Sequence, residues 1–192
     1  MRTLRAELAG VAPHPGALPP PGLPEVAIAG RSNAGKSSLV NTLTGIRNLA
    51  HTARRPGKTR ALVFFEVESR FRLVDLPGYG FAQVPRAEMA SWRDLVDAYL
   101  SADRPLRGFL ALFDIRREPD ELDHDLIALL SARRIRWRAV WTKADQLKPR
   151  QIEPSAKRLD RALGAPDPGI PFSARTRLGR DELLSLIEAW TA

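Results

Sequence analysis

The sequence predicts an α/β fold: a six-stranded, mostly parallel sheet with one antiparallel edge strand and helices on both faces. Three observations carry that prediction. Short apolar runs alternate with stretches of helical period along most of the chain, the order that builds a parallel sheet covered on both sides. Two strand-like runs are separated only by Ser69 and Arg70, which calls for a hairpin and an antiparallel neighbour. The chain has 192 residues, 44% hydrophobic and 27% charged, and a single domain of that size buries about 70% of its unfolded surface without staples.

Each element follows in order. Residues 1–23 read as an N-terminal lead-in, rich in Pro and Gly from Val11 onward, because such a stretch continues neither a helix nor a central strand. Residues 24–192 then form one domain. Val26–Ala29 is an apolar run of the buried-strand kind, ending at Gly30, and a helix begins near Lys36. Residues 46–60 are polar and basic and read as a loop. Ala61–Glu68 and Phe71–Asp75 form the hairpin. Phe109–Phe113, Trp137–Trp141 and Ile170–Phe172 supply three further strands. Leu95, Val96, Tyr99 and Leu100 share one helical face, as do Leu122, Leu126, Leu129 and Leu130, and later Leu183, Leu184, Ile187 and Trp190.

Composition excludes several chemistries. Without cysteine there is no disulfide framework, thiolate zinc site or cysteine nucleophile. His14, His51 and His124 lie far apart in sequence, so a histidine metal cage is not expected. No apolar run approaches the roughly 20 residues that span a bilayer. The first residues lack the apolar core of a signal peptide, and the expected location is the cytosol. The net charge is +8, and only five of the thirty basic residues are lysine. A surface so basic attracts polyanions, above all nucleic acid.

Gly30-Arg31-Ser32-Asn33-Ala34-Gly35-Lys36-Ser37 fits the pattern G-x-x-x-x-G-K-[ST], between a predicted strand and a predicted helix. Its glycines let consecutive backbone N–H groups converge on phosphate oxygens, and the helix N-terminus adds partial positive charge. Lys36 reaches the β- and γ-phosphates, and the Ser37 hydroxyl ligates Mg²⁺. Downstream, Asp75-Leu76-Pro77-Gly78 ends a strand. Asp75 stands where a carboxylate holds Mg²⁺, directly or through water, and Gly78 offers its N–H to the γ-phosphate. Between them, Thr59 directly precedes a strand and completes the Mg²⁺ shell, with Thr52 as the alternative.

Thr142-Lys143-Ala144-Asp145 follows the apolar run ending at Trp141. Asp145 can accept from the N1–H and the exocyclic amine of guanine. Adenine presents a bare acceptor at the first of these positions and no amine at the second, and would strand a buried carboxylate. The Lys143 stem covers one face of the base, and Phe172-Ser173-Ala174 brings a backbone N–H to the guanine oxygen. The motifs thus define a P-loop nucleotide-binding G domain that selects guanine.

The order Gly-Arg-Ser-Asn-Ala-Gly-Lys-Ser, Pro-Gly-Lys-Thr-Arg, Asp-Leu-Pro-Gly-Tyr-Gly, Thr-Lys-Ala-Asp and Phe-Ser-Ala closely resembles the EngB (YihA/YsxC-type) ribosome-biogenesis GTPases of the TrmE-Era-EngA-EngB-septin branch, over about residues 24–191. The resemblance implies a bacterial GTPase acting in large-subunit assembly. It also implies that residues 30–37, Gly57-Lys58-Thr59-Arg60-Ala61, 75–78, 142–145 and 172–174 surround GTP or GDP, with Ser37 and Thr59 on Mg²⁺. Many GTPases place a water-orienting glutamine after Asp-x-x-Gly. Here the residue is Tyr79, so intrinsic hydrolysis is expected to be slow. In related GTPases an asparagine at the Asn33 position helps hold a potassium ion. Such an ion, or an arginine or RNA element of a partner, would stabilise the developing charge. Catalytic roles thus fall to Lys36, Asn33, Thr59 and Gly78.

Three arginine-rich groups offer phosphate contacts to ribosomal RNA: Arg54, Arg55, Lys58 and Arg60; Arg133, Arg134, Arg136 and Arg138; and Arg175, Arg177 and Arg180. Two other readings stand beside the assembly switch. A nucleotide-regulated interaction module, for instance in cell division and septation, predicts no ribosome binding. A P-loop kinase or ATPase leaves Asp145 without a purpose. A monomer without membrane attachment is expected.

Overall fold

A computed structural model of the chain describes residues 3–52, 61–79 and 86–192, together with their side chains except at 51, 52 and 86–93. Seven strands form one sheet: β1 (Ala6–Ala12), β2 (Glu25–Gly30), β3 (Leu62–Val67), β4 (Phe71–Asp75), β5 (Leu106–Asp114), β6 (Trp137–Thr142) and β7 (Ile170–Pro171). Their spatial order is β1-β3-β4-β2-β5-β6-β7. The helices are α1 (Lys36–Thr44), α2 (Leu49–Thr52), α3 (Arg86–Ser101), α4 (Glu121–Ala132), α5 (Pro149–Leu163) and α6 (Arg180–Thr191).

The expected α/β architecture is present, with one strand more than expected. β3 is antiparallel to β4, as the hairpin requires, but it is not the edge. Residues 6–12, read above as part of a lead-in, pair antiparallel with β3 along its whole length. This strand is hard to read in sequence because its residues are small or polar and mostly exposed. Leu8 and Val11 lie on the solvent side at 47% and 40% exposure. The hairpin turn sets Glu68 and Ser69 at positive φ, the primed geometry that matches strand twist. Glu68 then serves β1: its carboxylate accepts from Arg5 N–H at 2.7 Å, and its own N–H donates to Arg5 O at 2.8 Å.

β2 sits at the centre, fully buried between β4 and β5. Its side chains alternate between two cores with the period of a strand. Ala27 and Ala29 join Phe64, Tyr99, Phe109, Trp141 and Leu159 on one face. Val26 and Ile28 join Leu39, Phe65, Leu112, Ile187 and Trp190 on the other. α6 closes on the sheet where Gly108 has no side chain; a Cβ there would lie 2.1 Å from the Trp190 ring. At the amino end of β2, the buried Glu25 takes Arg104 at 2.6 Å and the Tyr99 hydroxyl at 3.0 Å. A buried carboxylate needs such partners.

Two helices add to the expected set. α2 lies inside the segment 46–60 that reads as loop. α5 carries Pro154 in its interior, which masks a stripe of Ile152, Ala156, Leu159 and Leu163 packed on the first core.

Candidate nucleotide-binding site

Four strands, β2, β4, β5 and β6, end at the same edge of the sheet, the place where open α/β sheets bind ligands. The chain passes from β2 towards β3 on one side, whereas β4 is followed by β5 on the other side of β2, and this reversal opens a crevice there. A cavity of about 420 Å³ occupies this edge. It joins Asn33, Gly35, Lys36 and Ser37 on one side to Thr142, Lys143 and Asp145 on the other.

The loop after β2 is shaped by its own residues. A Cβ on Gly30 would lie 2.6 Å from Leu112 O, so only glycine fits beside β5. Asn33 and Gly35 both adopt positive φ, which aims the loop's N–H groups inward. Ala34 N–H donates to Arg31 O at 3.0 Å. Lys36 is buried, and its ammonium donates to Gly30 O at 3.1 Å and Arg31 O at 3.3 Å. Ser37 lies in the first turn of α1 and lines the cavity.

Asp75, fully buried, ends β4 in register with Ile28. Leu76 N–H continues the pairing to Ile28 O at 2.9 Å, and Leu76 and Pro77 are buried. Gly78 packs against the phosphate loop: a Cβ there would lie 2.8 Å from Lys36 Nζ and 3.1 Å from Ser32 N. Ser32 N–H donates to Tyr79 O at 2.9 Å. The Tyr79 ring itself turns away and is buried, and its hydroxyl donates to Asp123 Oδ1 at 2.9 Å. Burial, then the Asp123 charge, push that hydroxyl far above the usual phenol range. Burial likewise raises the Asp123 carboxyl, against its hydrogen bonds with Asp120 N–H and Tyr79.

Asp120 and Asp123 cap α4 reciprocally, and Asp120 also takes the guanidinium of Arg31. The α4 N-terminus thus binds the phosphate loop through Arg31 and the segment after Gly78 through Tyr79. Neither aspartate stands out in the sequence, since the pairing depends on which elements pack together.

On the opposite side, Thr142 Oγ1 donates to Phe113 O at 3.0 Å, fixing the end of β6 to β5. Lys143 takes positive φ and its ammonium lies 2.9 Å from Asp114 Oδ2. Burial pushes the Asp114 carboxyl up, but Arg116 and Lys143 outweigh it and hold the group well below the usual carboxylate range. Asp114 was not singled out in sequence; its signal was its place at the end of the Phe109–Phe113 run. Ala144 is buried and its N–H donates to Phe172 O at 3.1 Å. Asp145 Oδ1 accepts from Ser173 Oγ at 2.7 Å, and Oδ2 accepts from Arg175 Nε at 2.8 Å and Gln146 Nε2 at 2.9 Å. Arg175 first, then Ser173, lower the Asp145 pKa to about 2. Phe172 and Ala174 line the cavity beside it.

The structure therefore gathers residues 30–37, 75–78, 142–145 and 172–174 around one edge. Ala61 is buried just before β3, whereas Gly57, Lys58, Thr59 and Arg60 lie outside the described residues, as do Arg54, Arg55, Gly80, Phe81, Ala82 and the Thr52 side chain. One arginine group needs correction. Arg180 is buried and caps the C-terminal end of α1, donating to Thr42 O and Leu43 O at 2.8 Å each. It is no surface phosphate contact. Arg133 and Arg138 also have protein acids beside them, Asp97 at 3.0 Å and Asp167 at 3.4 Å, while Arg134, Arg136 and Arg177 are exposed.

The donor set suits Mg²⁺. Ser37 and Asp75 carry hard oxygen donors, the kind Mg²⁺ takes, with one or two carboxylates, phosphates and water completing its shell. Among the described residues no three acidic or histidine side chains gather into a protein-only cage. No helix among them is long and apolar enough to cross a membrane.

Residues 25–143 match the family model described as 50S ribosome-binding GTPase. The chain is 41% identical over 187 residues to a probable GTP-binding protein EngB of Desulfosudis oleivorans, covering 97% of this chain and 95% of that protein. It is 42% identical over 193 residues to the protein of the same description from Geobacter metallireducens, covering 100% and 95%. Among solved structures, a probable GTP-binding protein engB superposes with a TM-score of 0.72 at 22% identity, over 87% of this chain and 98% of that one. Era in complex with MgGDPNP and nucleotides 1506–1542 of 16S ribosomal RNA superposes with a TM-score of 0.65 at 18% identity, over 90% and 58%.

Proposed function

This chain belongs to the EngB family of GTP-binding proteins, a GTPase family, and on that premise we propose that it is a slow GTPase switch in assembly of the bacterial large ribosomal subunit. The observation that carries the reading is the single cavity joining the phosphate loop to Asp145. In it, the loop N–H groups and Lys36 hold the phosphates. Lys143 covers the base and Asp145 reads its N1–H and amine. Ser173 N–H donates to Leu178 O at 3.2 Å, so the donor to the guanine oxygen is Ala174. A kinase or ATPase has no use for Asp145.

Ser37 and Asp75, with Thr59, would hold Mg²⁺, which supplies charge neutralisation at the β- and γ-phosphates. Gly78 N–H meets the γ-phosphate beside Lys36. Tyr79 points to Asp123, so no side chain of that position orients the attacking water. Turnover then depends on groups added to the site: potassium held with the help of Asn33, or a cationic or RNA element of the partner. The exposed Arg134, Arg136 and Arg177 supply phosphate contacts to ribosomal RNA.

The test is sedimentation of the protein with large ribosomal subunits or their precursors, in a non-hydrolysable GTP analogue, GDP or no nucleotide, at two salt concentrations. Analogue-dependent co-sedimentation that weakens with salt is expected. A protein that binds GTP yet stays in the supernatant in every state is instead a nucleotide-regulated interaction module.

A further inference from the structure

An ionised carboxylate offers about four lone-pair sites, two on each oxygen. On Asp145, Ser173 Oγ takes one site of Oδ1, while Arg175 Nε and Gln146 Nε2 take both sites of Oδ2. A guanine edge presents two donors side by side and needs one site on each oxygen. Oδ2 already carries two donors, so one of them must leave before guanine is read. Gln146 follows Asp145 directly and is held in the same turn, its N–H donating to Lys143 O at 2.9 Å. Arg175 reaches in from the segment after β7 with its side chain 70% exposed, and its other contact there is a long one, Nη2 to Asp145 O at 3.5 Å. Arg175 is the donor that yields. Its guanidinium is also the side chain most like guanine, a planar edge of N–H groups matched to a carboxylate.

We infer that Arg175 is an internal competitor for guanine, a surrogate for the base edge that occupies Asp145 and must be displaced when a guanine nucleotide enters. The inference rests on the proposed reading of Asp145 as the group that recognises guanine. Adenine has no donor pair to displace it. Arg175 therefore sets how fast and how tightly guanine nucleotides bind, and by returning to Asp145 it helps them leave.

The experiment is stopped-flow association of ribose-labelled fluorescent GDP with the full chain and with Arg175→Ala, followed by labelled XDP on Asp145→Asn with and without Arg175→Ala. An exposed pair of this kind supports an increase of about two- to five-fold in the GDP association rate for Arg175→Ala. On Asp145→Asn, where Arg175 has no carboxylate to hold, the same change leaves XDP association unaltered. An unchanged or slower GDP rate, or equal acceleration on both backgrounds, overturns the competitor role while the base reading stands. A chain whose Asp145→Asn form still prefers GDP to XDP overturns the base reading itself, and the competitor role with it.

Discussion

The two ends of the cavity are built on opposite plans. At the base end, Asp145, Ser173, Gln146 and Arg175 aim their polar groups at one another, and Lys143 is pinned to Asp114. At the hydrolysis end, the side chain that follows Asp-x-x-Gly, Tyr79, is turned to Asp123. On the proposed reading, recognition lies in the chain's own side chains, while turnover is left to groups that join the site. The proposed switch would benefit from that division: its bound state would be specific, and its lifetime would be set by the partner.

The sharpest way to break the comparison is Asp145→Asn. Selection between guanine and xanthine nucleotides should reverse, with the ratio of affinities changing by about 1,000-fold, because a site built to accept from a pair of donors rejects the mismatched partner strongly. Competitive titration of labelled GDP by XDP checks it. Lys36→Ala acts on the phosphates and should weaken GDP and XDP alike by about 100-fold, since each charged hydrogen bond contributes about 1.5–3 kcal/mol. Calorimetric titration of both nucleotides measures it, and a loss confined to GDP would contradict the division between the two ends.

Tyr79→Phe tests the hydrolysis end. It removes the hydrogen bond to a largely buried carboxylate and should cost about 1–3 kcal/mol of stability, seen as a Tm lower by several degrees. GTP turnover of the folded protein should stay at the wild-type rate, measured by phosphate release. A fall of ten-fold or more would mean that the tyrosine serves the water after all.

The smallest effect concerns acid stability. The Asp145 pKa is lowered from 3.8 to about 2 in the folded chain. Its contribution to stability is present above the unfolded value and is lost as pH falls through the folded one. Arg175→Ala raises the folded value, so the loss starts earlier on acidification. The acid-unfolding midpoint, followed by circular dichroism, should move up by a few tenths of a pH unit, on the order of what an exposed pair supports.

What the sequence made legible was local. The phosphate loop, Asp75–Gly78 and Thr142–Asp145 are contiguous strings whose chemistry sits in neighbouring residues, and the strands before them are continuous apolar runs. What stayed hidden depends on packing between distant parts. Asp123 meets Tyr79 across 44 positions, and Arg180 reaches Thr42 across 138. No spacing rule links such pairs, and an arginine on a surface and one in a core look alike in a string. β1 escaped because an edge strand with one wet face carries little hydrophobic signal, and α5 because its prolines stand where the period would be read.

β1 also bears on how the protein tolerates handling. Among the described residues it is the neighbour of β3 on that side of the sheet, and its pairing runs from Ala6 opposite Val67 to Ala12 opposite Leu62. A version trimmed to the motif-bearing part, beginning near residue 24, keeps every nucleotide-facing group yet bares the backbone of an apolar strand, Leu-Val-Phe-Phe-Glu-Val. Bare strands recruit others like themselves. β1 covers that edge, and its removal should show up as self-association in the test tube before any change in nucleotide affinity.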